Sequence, residues 1–165
     1  MTNLESAAVQ RVISFLDKAG AEGHVIELAE TARSAEDAAK SIGVDVGSIV
    51  KSLVFSIDGK PAMALISGNS MCNIQKLHTI FGLNNPAQSV DAAFVKKYTG
   101  FSIGGVAPVA HLHQIPIVID TNLGHFPTIY AAAGHPHCVF STNLRELRCL
   151  TGGLLSDRIV LITSK

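Results

Sequence analysis

Tryptophan is absent from this 165-residue chain, and aromatic residues make up only 5% of it. Extended base-stacking platforms of the kind that hold single-stranded nucleic acid are therefore not expected. Net charge is missing too: 13 Lys and Arg balance 13 Asp and Glu. A basic coat for gripping long nucleic acid is excluded, and DNA is not an expected partner, whereas a small local site for the tip of a nucleic acid remains open. Only three cysteines occur, Cys72, Cys138 and Cys149, with no CxxC pair. They are too few and too scattered for a disulfide framework, so reduced thiols and a cytoplasmic location are the expectation. No run of roughly 18 apolar residues is present, so no membrane span is expected. The opening MTNLESAAVQ lacks a basic segment followed by an apolar core and does not read as a secretory leader. The chain also carries no Walker A loop, no G-x-G-x-x-G fingerprint, no G-x-S-x-G elbow and no H-E-x-x-H. NTPase, Rossmann dehydrogenase, serine hydrolase and zincin chemistry lose their main sequence support.

What is present is apolar: 47% of residues are hydrophobic and 16% charged, the opposite corner from disordered chains. The length suits one domain, residues 1–165, with no repeat or linker. Residues 4–19 read as an amphipathic helix stopped by Gly20, and Ser34 opens a second one that ends at Gly43. HVIEL (24–28) reads as a short strand. IVKSLVFSI (49–57) and PAMALIS (61–67) flank Asp58-Gly59-Lys60 and give the clearest hairpin signal. Asn73 and Asp91 are candidate caps for helices over IQKLHTIF and AAFVKKY, and Asn143 for one over LRELRCL. The Gly- and Pro-containing stretch 101–114 reads as loop. IPIVID (115–120), PTIYAAA (127–133), HCVFS (137–141) and RIVLI (158–162) read as strands. Strand and helix do not alternate regularly, so the expectation is a mixed α+β domain: one mixed β-sheet surrounded by short helices.

Three features bear on chemistry. His111 and His113, and His135 and His137, are pairs spaced by two, which share a face if extended. Metal sites need three or four ligands, no third partner is evident at matching spacing, and no metal is expected. Lys51 sits in an otherwise apolar strand, where alternation sets it on the face of Leu53 and Phe55, opposite Val50, Ser52 and Val54. It is either an edge lysine snorkelling to water or a cation at the floor of a cleft. Gly104-Gly105-Val106-Ala107-Pro108 combines two glycines with a rigidifying proline. It is either a plain loop or a turn whose N–H groups cradle an oxygen.

In order along about residues 8–155, these segments resemble the YbaK/prolyl-tRNA-editing (ProX-type) family of aminoacyl-tRNA deacylases. TARSAEDAAKSIGVDVGSIVKSLVF resembles the family's helix and lysine-bearing strand, SGN (67–69) the loop after its hairpin, TGFSIGGVAPVA its G-x-x-x-P loop, and YAAAG the strand and glycine near its pocket. The resemblance implies a YbaK-like fold and hydrolysis of the ester between a wrong amino acid and tRNA, most often tRNA for proline. It implies action in trans on the acceptor end, with prolyl-tRNA synthetase a candidate docking partner, and no metal, cofactor or protein nucleophile. By carry-over, Lys51, Gly104 and Gly105 take catalytic roles. Ser67, Gly68, Val106, Ala107, Pro108 and Gly134 take substrate-binding ones. The family's cysteinyl deacylases carry an aspartate about five residues after the YAAAG-like segment; here the sequence is Gly134-His135-Pro136-His137-Cys138-Val139. That departure points to alanine or 2-aminobutyrate ahead of cysteine. The alternatives are a Cys-tRNA deacylase of the same family, a non-catalytic module that holds tRNA ends, and a histidine-dependent metal hydrolase.

Overall fold

The computed structural model describes residues 2–30, 32 and 34–161. Local sequence signals set most of its element boundaries. Helix α1 (Ala7–Ala19) starts where the Ser6 hydroxyl accepts from Val9 N–H at 3.3 Å. Leu4, expected inside that helix, lies instead in a preceding 3-10 turn, Asn3–Glu5. Helix α2 (Ala35–Ile42) is capped by Ser34, which accepts from Asp37 N–H at 3.1 Å. Helix α3 covers Ile74–Ile80, α4 Ala92–Thr99 and α5 Leu144–Thr151. Asp91 and Asn143 cap the last two as expected. Asn73 makes no side-chain cap; its backbone N–H is drawn instead to Ile159 O at 2.7 Å.

The strands are β1 (Val25–Glu27), β2 (Val50–Ile57), β3 (Lys60–Ser67), β4 (Ile117–Asp120), β5 (Ile129–His135), β6 (Cys138–Thr142) and β7 (Leu154–Ser156). Asp58 and Gly59, with φ of 54° and 78°, form the tight turn of the β2–β3 hairpin. The mixed α+β class is as expected, but the strands divide into two sheets. β1-β6-β5 is antiparallel, and β2-β3-β4-β7 adds two parallel pairings to the hairpin. An isolated bridge from Ile49 to Tyr130 links them. The terminal strand also differs from expectation. Leu154–Ser156 takes the place beside β4, while Ile159 is buried and Val160 makes only a single bridge to Cys72. Ile162, the end of the expected strand, lies outside the described residues.

Alternation along β2 and β3 sorts side chains into two cores. Val50, Met63 and Leu65 join Val9, Val12 and Leu16 of α1 and Ile129, Ala131 and Phe140 of the smaller sheet. Ala62, Ala64 and Ile66 face the other way, with Val118, Leu77 and Ile159. Leu53 and Phe55 pack on that second side and Val54 on the first, the alternation that places Lys51 with the former pair.

Candidate active site

The edge of the larger sheet, helix α2 and the β5–β6 turn enclose a cavity of about 510 Å³, within the range of small-molecule sites. Lys51, Gly68, Gly104 and Val106 all line it, so four positions singled out from the sequence meet on one wall system. The lining also includes small side chains, Ala32, Ala35, Ala38 and Ala132, among larger ones such as Ile49, Val139, Tyr130 and His135.

Lys51 is half-buried, and its ammonium donates to the carbonyl oxygen of Ser70. Its charge also reaches Cys72. Burial pushes that thiol up to about 11, against the opposing pull of the lysine. The lysine is thus a directed cation, held on the loop that follows β3.

The glycine loop is a turn with specific demands. Gly105 N–H donates to Ser102 O at 3.1 Å, and Gly104, third in that turn, has φ +97°. A type II turn reserves that position for positive φ. A Cβ on Gly104 would meet only Pro136 Cγ, at 3.5 Å. A Cβ on Gly105 would lie 2.7 Å from His135 N and 2.9 Å from the Gly134 carbonyl carbon. Gly104 is therefore glycine for its backbone angle, and Gly105 because the loop lies directly on β5. Gly134 combines both demands: its φ is +97°, it sits in a register shift of β5, and its Cβ would be 3.0 Å from the backbone of Ala8.

The remaining predicted residues stand behind these walls. Ala107 and Pro108 are buried, and the Ala107 carbonyl is 2.8 Å from His111 Nε2. Burial holds His111 below the usual histidine range, and because a carbonyl only accepts, Nε2–H is the donor. Ser67 is buried; its hydroxyl donates to Gly47 O at 2.5 Å and lies 2.9 Å from the side-chain oxygen of Asn69. It shapes the turn that presents Gly68.

The histidine pairs part company. His111 packs edge-on to Phe101, whereas His113 packs on Tyr98. His135 and His137 stay together, with His135 Nδ1 accepting from His137 N–H at 3.0 Å. Among the described residues no three His, Cys, Asp or Glu side chains converge as a metal site would require.

Two groups went unnoticed in the sequence. Ser52 Oγ, on a cavity-lining residue, is buried with no hydrogen-bond partner among the described residues. Its alternation with Lys51 was visible, but its burial depends on the packing of β5 and could not be. The alanines of α2 form a cavity wall, and the AEDAA run that opens the helix was the only signal of it.

This geometry has relatives. A family model described as the aminoacyl-tRNA editing domain matches residues 29–150. An Enterococcus faecalis protein named "Putative Cys-tRNA(Pro)/Cys-tRNA(Cys) deacylase EbsC" is 30% identical over 75% of this chain and 76% of its own. A proline–tRNA ligase of Geobacter metallireducens is 28% identical over 83% of this chain, which corresponds to 24% of that longer protein. A solved structure titled as that of a putative trans-editing enzyme for prolyl tRNA synthetase superposes with a TM-score of 0.87 at 34% identity, covering 96% of this chain and 99% of the other. The chain belongs to the aminoacyl-tRNA editing domain family, the YbaK-type hydrolases that deacylate aminoacyl-tRNA.

Proposed function

We propose that this chain, residues 1–165 acting as one editing domain in trans, clears a small wrong amino acid from tRNA for proline, with alanine and 2-aminobutyrate the leading candidates. The observation that carries this reading is the convergence of Lys51, Gly68, Gly104 and Val106 on one cavity, whose lining includes Ala32, Ala35, Ala38 and Ala132 among larger apolar side chains. A synthetase pocket rejects a smaller side chain poorly, since one methylene is worth about 1–3 kcal/mol. A second, narrower pocket solves that problem by admitting the intruder and excluding proline.

In the proposed mechanism water adds to the ester carbon, the carbonyl oxygen takes up the negative charge, and the proton that the water loses passes through the neighbouring ribose hydroxyl to the ester oxygen. Collapse of that intermediate restores the carbonyl, breaks the bond between the carbonyl carbon and the ester oxygen, and releases the free amino acid and the ribose hydroxyl. The Gly105 N–H is committed to Ser102 O. The amides of Gly104 and Val106, on the cavity wall, are therefore the loop groups offered to the oxyanion. Lys51 adds positive charge, exchanging its Ser70 carbonyl for substrate. Ser52 Oγ, buried without a partner, gains one from bound water or the amino group. Gly68, positioned by Ser67, holds the acceptor end; the buried Ala107–Pro108 segment backs the loop wall, and Gly134 lets β5 turn beside it.

The reading of Cys-tRNA as substrate has one observation in its favour, the similarity to the protein named for Cys-tRNA deacylation. A panel of tRNAs charged with alanine, 2-aminobutyrate, serine, cysteine and proline, assayed with EDTA present, separates the two. Release of alanine or 2-aminobutyrate with proline spared supports the proposal. Preferential release of cysteine replaces it. No release from any tRNA leaves a module that only binds tRNA ends, and activity lost to EDTA moves the site to metal chemistry.

A further inference from the structure

Arg11 lies on α1, upstream of the segment that the family model matches. Its Nε donates to Ala110 O at 2.8 Å, and its Nη2 donates to Thr99 O at 3.1 Å. Its guanidinium carbon stands 4.4 Å from the centre of the Phe101 ring. Thr99 and Phe101 lead into the glycine loop, and Ala110 leaves it. One side chain therefore ties both feet of the loop together. The requirement is for a planar fork, which satisfies two carbonyls at once while its face stacks on a ring; an ammonium can do neither together.

The surroundings are fitted to this contact. A Cβ on Gly100 would come within 2.5 Å of Arg11 Nη2, so the guanidinium occupies the space that glycine leaves open. Ala110 has φ +62°, a left-handed conformation that costs a non-glycine residue free energy, and its carbonyl is the one Arg11 holds. Backbone bonds from Leu112 N–H to Thr99 O at 3.3 Å and from His113 N–H to Tyr98 O at 3.1 Å join the same feet, the His111–Ala107 bond is a further tie within the loop, and His111 packs edge-on to the Phe101 ring whose face Arg11 covers. The same helix abuts the other cavity wall: Ala8 and Val9 backbone atoms lie 3.0–3.1 Å from where a Gly134 Cβ would stand. Helix α1 thus touches both the feet of the glycine loop and the part of β5 on which that loop lies.

We infer that Arg11 is a positioning residue for the editing reaction, bracing the 102–109 loop so that its amides are already aimed when substrate arrives. This rests on the editing reading above and extends it to a helix beyond the matched segment. Arg11→Met keeps the length and packing of the side chain but removes the fork; Arg11→Lys keeps the charge and can reach one carbonyl at a time. If the aligned loop falls from nearly always to about a tenth of the population, single-turnover deacylation at saturating enzyme slows about ten-fold. Arg11→Lys should fall between Arg11→Met and wild type. Amide hydrogen exchange in 102–109 should speed up in both variants under conditions where thermal melts show them folded. Wild-type rates and exchange in folded Arg11→Met overturn the inference. So does full rescue by Arg11→Lys, which would mark a long-range charge effect on tRNA. Should Arg11→Met not fold, Arg11→Lys carries the same test. A wild-type chain that cleaves none of the charged tRNAs removes the editing reading, while the exchange comparison still decides the brace.

Discussion

Gly105→Ala and Gly104→Ala are chemically the same change one residue apart, and the structure predicts different outcomes. Gly105 has no positive φ, so alanine there suffers no backbone strain. Its added carbon would instead lie 2.7 Å from His135 N, 2.8 Å from His135 Cα and 2.9 Å from the Gly134 carbonyl carbon. These are backbone atoms of a paired strand and cannot swing aside, so the loop must lift off β5. Overpacking of this kind costs about 1–3 kcal/mol. For a chain of this size, about 2 kcal/mol lowers Tm by roughly 4–8 °C. Gly104→Ala meets only Pro136 Cγ at 3.5 Å, an ordinary contact, but forces alanine to φ +97°. That strain is about 1 kcal/mol, or roughly 2–4 °C. The activities should separate as well. Lifting the loop moves its amides away from the ester, and losing about 1.4 kcal/mol of oxyanion stabilisation is a ten-fold loss. Thermal melts with single-turnover deacylation of mischarged tRNA read both quantities. Gly105→Ala melting and deacylating like wild type would refute the close packing of loop on strand. A Gly104→Ala variant less stable than Gly105→Ala would refute the division of roles.

The other predictions are briefer. Lys51→Ala should keep the fold, because its stem lies at a sheet edge, and should lower kcat about 10²–10³-fold, the range for removing one oxyanion donor; wild-type turnover by a folded variant would end its catalytic role. Burial lowers His111 in the folded chain, so between that lowered value and about 6.5 the unfolded chain binds the extra proton. Stability should therefore fall as pH drops through that window, and His111→Gln should flatten this part of a denaturation-versus-pH series. Net charge is zero and Lys96-Lys97 is an isolated basic pair, so about three phosphate contacts are expected, a log affinity against log salt slope of about −2 to −3; a much steeper slope would demand a larger tRNA footprint. Burial pushes Cys72 and Cys138 up to about 11, so at pH 8 both remain thiols, and iodoacetamide should label exposed Cys149 first; equal labelling of all three in native protein would contradict that burial.

How much of this was legible in the sequence follows from the range of each interaction. Ser34, Asp91 and Asn143 were readable as caps because each cap bond closes within three residues. The Asp58-Gly59 turn was readable for the same reason. Lys51 and Gly104 stood out because each breaks a local rule, a charge in an apolar strand and a glycine pair before a proline. The division into two sheets was not legible, since parallel pairing of β4 with β3 and β7 has no local signature. Nor was the terminal strand: RIVLI has the better strand composition, yet Leu154–Ser156 pairs because α5 ends at Gly152 and delivers it directly beside β4.

Gly105 shows most sharply where sequence reasoning stops. Read alone, two adjacent glycines share one explanation, an open backbone presented to a ligand. In the fold they separate: one supplies a dihedral angle that a turn requires, and the other vacates space for His135, thirty residues away in the chain. Arg11 is the same lesson at longer range. It reads as a charged residue off the apolar stripe of α1, and its partner Ala110 lies 99 residues on. Each of these contacts acts on the loop rather than on substrate. The positions proposed to bear the chemistry are therefore recognisable by type, while the residues that hold them in place are recognisable only by what they touch. A catalytic loop built from backbone amides depends on such supports more than one built from side chains, because an amide can be re-aimed only by moving the chain that carries it.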